Sequence, residues 1–94
     1  MTVHFWIPAP LRAMTGGRSL VDVVPPGCTL QDALETLFAL HPAIRDRIRT
    51  EQGEIREHVN VFVANSEIRS KDGLATLLAD GVEISILPAI SGGE

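Results

Sequence analysis

Ninety-four residues make one domain and leave no room for two cores. Apolar residues at 45% and charged residues at 21% are globular values, and a net charge of -4 offers no basic face to nucleic acid while suiting a partner with a basic docking surface. One cysteine, Cys28, excludes an internal disulfide and a cysteine-rich zinc site.

Met1 to Trp6 lacks a basic region followed by a long apolar run, so no secretory signal is expected. No stretch approaches the ~18 apolar residues that would cross a membrane, and a soluble cytoplasmic protein is the expectation. Val3, Phe5 and Ile7 alternate with His4 and Trp6, which predicts a strand. Pro8 and Pro10 stop it, and Leu11 to Gly17 reads as a connection. Ser19 to Val24 is the next strand, with Val21 and Val23 on one face and Leu20 and Asp22 on the other; the short link suggests an antiparallel pair.

After Pro25-Pro26-Gly27, Thr29 is placed as a helix N-cap, with Asp32 three residues on as its capping-box partner. Leu30, Ala33, Leu34, Leu37 and Phe38 form one apolar stripe, and His41-Pro42 ends the helix. Ala43 to Arg49 predicts a further short helix, with Ile44 and Ile48 inward and Arg45, Arg47 and Arg49 outward. Thr50 to Glu57 is a polar loop. Val59, Val61 and Val63 alternate inward with Asn60 and Phe62 outward; Ala64-Asn65-Ser66 is a turn, and Glu67-Ile68-Arg69 a short edge strand. Leu74 to Leu78 is a helical turn or loop whose leucines pack under the sheet. Asp80-Gly81 turns the chain into Val82 to Leu87, the last strand, which Pro88 stops.

Strand, strand, helix, strand, short strand, strand is the order of an α+β, β-grasp (ubiquitin-like) domain over 1–94. It predicts a mixed four- to five-stranded sheet with one main helix packed on one face, and a flexible C-terminal tail over 88–94. The other face has nothing to cover it. Trp6, Phe62 and Leu87 point there, which suggests a partner site, although single apolar residues are also ordinary on folded surfaces.

The chain ends Ile90-Ser91-Gly92-Gly93-Glu94. Two glycines beyond a strand are poor structural material, because each loses much backbone entropy on ordering and packs nothing. They can thread a channel too narrow for any Cβ; they are equally what an idle terminus looks like. His4, His41 and His58 lack metal-ligand spacing, so no metal site is expected. Gly16-Gly17 is a turn, since no lysine-serine pair follows it.

The sequence resembles the ubiquitin-like sulfur carriers, such as the molybdopterin synthase small subunit and the carriers of the thiamine and cysteine pathways. The matching pieces are Ile7-Pro8-Ala9-Pro10-Leu11-Arg12, Thr15-Gly16-Gly17, the helix from Thr29 to Leu40 with His41-Pro42, Val59-Asn60-Val61-Phe62-Val63, Asp80-Gly81-Val82-Glu83-Ile84, and Leu87 to Gly93. Arg12 and Arg69 stand where the family is basic.

The resemblance implies a protein cosubstrate rather than an enzyme, with no bound cofactor. An adenylating enzyme of the ubiquitin-activator kind would dock on the open face and use MgATP to couple AMP to the Gly93 carboxylate. A sulfur donor would then leave a thiocarboxylate, which passes sulfur to an acceptor synthase. Ile90, Ser91, Gly92 and Gly93 would lie in the partner's active site. Active family members end in diglycine, so Glu94 would first be removed, by a zinc metallopeptidase. A protein modifier conjugated through the same tail, a molybdopterin synthase small subunit, and a plain ubiquitin-like binding module with an idle terminus are the competing readings.

Overall fold

Alternation in the first strand, β1 (Val3–Trp6), sends Val3 and Phe5 into the interior, with Ile7 buried just after it. The structure, a computed structural model, describes residues 1–88. β1 pairs antiparallel with β2 (Leu20–Val23) in the register Val3↔Val23 to Trp6↔Leu20, as the short link between them suggests.

That link is more ordered than the sequence reading made it. Ala9–Thr15 is a 3-10 helix with proline in its first turn, and Leu11 and Thr15 are buried. Two prolines break a strand but do not oppose a tight helical turn. The helix ends at Gly16 in the left-handed conformation, φ 66°.

α1 (Leu30–Leu40) forms as its pattern demands. The Thr29 hydroxyl accepts from the Asp32 backbone N–H at 3.2 Å, and Asp32 Oδ2 accepts the Thr29 backbone N–H at 3.3 Å. Leu30, Ala33, Leu34, Leu37 and Phe38 are buried against the sheet. Each large side chain among them contributes about 1.5–3 kcal/mol of burial before entropy is counted.

A 3-10 turn (Pro42–Ile44) leads into α2 (Arg45–Ile48), and Ile44 and Ile48 are fully buried as expected. Arg49 does not point outward. The backbone turns extended there, φ -118° and ψ 149°, and carries the side chain back against α1.

β3 (Val59–Val63) and the two-residue β4 (Ser66–Glu67) make a tight antiparallel hairpin. The expected strand over Glu67–Arg69 shortens because Ile68–Ser70 coils into a 3-10 turn that buries Ile68. Gly73–Ala75 is another such turn. Leu74 and Leu78 pack on the core, but Leu77 does not: it is 69% exposed, facing away from Leu78 in an extended stretch that bridges to Thr29.

β5 (Glu83–Pro88) closes a five-stranded sheet in the order β2-β1-β5-β3-β4. It runs parallel to β1 and antiparallel to β3. Pro88 does not stop the strand; it is the last residue of it, opposite Val59. β1 pairs with β5 only as far as Ser85, so Pro88 has a neighbour on one side alone, where a missing N–H is tolerated. The arrangement is a β-grasp: one long helix on one face of a mixed sheet, with the other face open.

Candidate functional site

Cross-strand register assembles the open face. Trp6 and Phe62 both pair with Ser85, from opposite sides, and Leu20 pairs with Trp6. Residues directly opposite on neighbouring strands share a face, so Leu20, Trp6, Ser85 and Phe62 form one row across the sheet. Leu87, two residues beyond Ser85, starts the next row and stands beside Asn60. The structure therefore brings Trp6, Phe62 and Leu87 together. Trp6 and Phe62 are half-buried and Leu87 is 38% exposed. Leu20, at 52% exposed, extends the patch; its place opposite Val21 and Val23 in the alternation was the available signal.

One row back from the apolar row lie Asp22, His4 and Glu83, paired in that order across β2, β1 and β5. His4 Nδ1 and Asp22 Oδ1 are 2.6 Å apart. At the other end Arg12 donates from Nε to the Ile7 carbonyl at 2.9 Å and lies over the Trp6 indole, 5.5 Å from its centroid. Arg69 gives Nη1 to Asn60 Oδ1 and Nη2 to the Arg56 and Val59 carbonyls, all at 3.0 Å. Both arginines, which had no assigned role in the sequence, thus flank the end of β5.

Ile90, Ser91, Gly92, Gly93 and Glu94 lie outside the described residues. What is on view is their point of departure: Pro88, on the strand between β1 and β3, at the edge of the face that carries Leu87. Cys28 is an exposed thiol at the helix entry. Among the described residues no group of three His, Cys, Asp or Glu side chains could hold a metal ion, and no helix is long and apolar enough to cross a membrane. The geometry sets four apolar side chains, Leu20, Trp6, Phe62 and Leu87, on one face and ends β5 beside them.

The ThiS family model matches residues 5–93. Sulfur carrier protein CysO of Mycobacterium tuberculosis is 37% identical over 95 residues, covering 99% of this chain and 100% of that protein. Small archaeal modifier protein 3 of Haloferax volcanii is 35% identical over 85 residues, covering 90% of this chain and 91% of that protein. Among solved structures, the Amycolatopsis orientalis BexX/CysO complex contains a chain similar to this one with a TM-score of 0.84 and 32% identity, over 97% of this chain and 99% of that one.

Proposed function

We propose that this chain, which belongs to the ThiS family of ubiquitin-like sulfur carriers, carries sulfur as a thiocarboxylate on Gly93 and is a cosubstrate rather than a catalyst. The observation that carries the reading is the reach of the family match, which runs from β1 through Gly93. A relative named as a sulfur carrier, similar over the whole length, supports it.

A carboxylate is a poor electrophile, so an adenylating partner first activates it. The Gly93 carboxylate attacks the α-phosphorus of MgATP and pyrophosphate leaves. The sulfur donor then attacks the acyl carbon, and AMP departs with the bonding pair. The thiocarboxylate is a soft nucleophile that delivers sulfur to an acceptor synthase. Gly92 and Gly93 present no Cβ to the walls of a narrow channel. Trp6, Phe62 and Leu87 supply the docking contact that holds the scaffold while the tail reacts. Glu94 is removed beforehand by a zinc metallopeptidase, since the acyl group must be that of Gly93.

The test is mass spectrometry after incubation with the adenylating enzyme of the same cell, MgATP and sulfide. Replacement of one oxygen by sulfur at Gly93 is expected, from protein whose Glu94 has been trimmed. An unchanged mass with an enzyme that activates its own carrier would overturn the reading. A second reading, as a protein modifier, is favoured by the likeness to a small archaeal modifier protein over 90% of this chain. Isopeptide adducts on lysines of other proteins would select it.

A further inference from the structure

The uncovered face is electrically polar along the strand direction. At the end where β5 finishes stand Arg12 and Arg69, with the backbone of Arg18 just before β2, whose start is held to β1 by the Ile7 N–H on the Ser19 carbonyl; Arg18 also lines a cleft along the β2 edge with Leu20, Asp22, Leu40 and His41. Arg69 is ion-paired to Glu67 at 3.5 Å, and Glu57 lies in the loop ahead of β3. Among the described residues neither Arg12 nor Arg18 has a carboxylate within salt-bridge distance. At the other end stand Asp22, Glu83 and Asp80. Asp22 is shared with His4, Asp80 accepts the Thr2 N–H at 2.8 Å, and Glu83 is exposed and unpaired among the described residues. Between the two ends runs the row of Leu20, Trp6, Ser85 and Phe62, which Glu67 completes opposite Phe62.

We infer that this polarity fixes which way round the adenylating partner sits: its docking surface carries carboxylates beside the tail exit, facing Arg12 and Arg18, and a basic group at the far end, facing Asp22 and Glu83. The inference rests on the proposed docking of that enzyme. An apolar strip alone would accept a partner rotated by half a turn, and the rotated complex would aim the tail away from the active site. With charges at both ends, the rotated complex sets like against like, which disfavours it and slows encounter. Arg12 suits the task because its stacking on Trp6 and its bond to Ile7 pre-set the guanidinium, leaving both terminal nitrogens for a carboxylate.

The experiment measures association of the full chain with the immobilised adenylating enzyme of the same cell, at low and high ionic strength. Arg12→Glu, Arg18→Glu and the pair Asp22→Lys/Glu83→Lys are each expected to slow association about 3- to 10-fold at low salt, with the differences shrinking at high salt. Arg12→Lys should recover most of the rate. Arg18→Glu guards against a folding artefact, since Arg18 is exposed and makes no side-chain hydrogen bond among the described residues. Charge variants that associate at the wild-type rate, while Phe62→Asp fails to bind, would sink the orienting role and leave the docking face intact. A wild-type chain that never binds would overturn both.

Discussion

Arg49 donates from Nη1 to Glu35 Oε2 at 2.7 Å, tying the segment after α2 to the outer side of α1. Its Nε and Nη2 go to the Gly53 carbonyl at 2.9 and 2.6 Å, and its guanidinium sits 6.0 Å from the centre of the Phe38 ring. The arginine side chain is 7% exposed and the glutamate 58%. The two partners should therefore cost different amounts to remove. Glu35→Ala loses a screened ion pair and should cost under about 1 kcal/mol. Arg49→Ala strips the Gly53 carbonyl of two donors and uncovers Phe38, and should cost about 2 kcal/mol. Urea unfolding of both variants checks this; equal costs would show that the carbonyl contacts contribute little.

Leu34 is fully buried at the centre of the α1 stripe. Leu34→Ala should cost about 2–5 kcal/mol, mostly as a cavity under the sheet. Leu34→Asp places an unpaired carboxylate there and should leave no folded population. A cooperative thermal melt from the aspartate variant would contradict this account of the core.

The helix and its cap were legible because they are local: Thr29, Asp32 and a stripe of period 3.6 need no knowledge of the rest of the chain. The strands were legible because Val3, Phe5 and Ile7, or Val59 and Val61, alternate on a half-covered sheet. What escaped was decided at a distance. Arg49 reads as a solvated charge until Gly53, Glu35 and Phe38 are seen to surround it. Leu77 reads as core until its stretch is seen to run extended past Thr29. Of the site, three outward residues were visible as a face, but its charge polarity depends on register, which a single strand does not reveal.

Gly27 precedes the cap, and a Cβ built on it would collide with the Asp32 carboxylate. That carboxylate accepts from the Thr29 backbone N–H and from the Thr29 hydroxyl at 2.9 Å. Gly27→Ala should displace it and cost about 1 kcal/mol, the usual worth of a cap. In the Asp32→Ala background the same substitution should cost much less, because the obstacle has gone. Additive losses in that double-mutant cycle would refute the coupling.

Ala64 is the one non-glycine residue with positive φ among the described residues, at 56°, in the two-residue turn from β3 to β4. A Cβ is disfavoured there, and glycine removes the clash while adding entropy to the unfolded chain. The steric term is the larger, so Ala64→Gly should stabilise by about 0.5 kcal/mol. Ala64→Val should destabilise by more than that, since a β-branched residue suits this region worst. Thermal melts that rank valine at or above alanine would contradict the backbone geometry.

Phe62 gives the sharpest separation of fold from function. It is half-buried between Ser85 and Glu67 on the open face, across the sheet from α1. Phe62→Ala should lower stability modestly, while activation by the adenylating enzyme falls about 10-fold or more, as befits an aromatic anchor at the middle of an interface. Trp6→Ala should behave alike, with an added effect from the loss of the platform under Arg12. Leu77→Ala is the control: it removes an equally apolar side chain, 69% exposed, from the stretch bridged to the start of α1. Its activation rate should match the wild type. If Leu77→Ala slows activation as much as Phe62→Ala does, while both melt as the native protein, the partner engages the helix side and the open face is not where it docks.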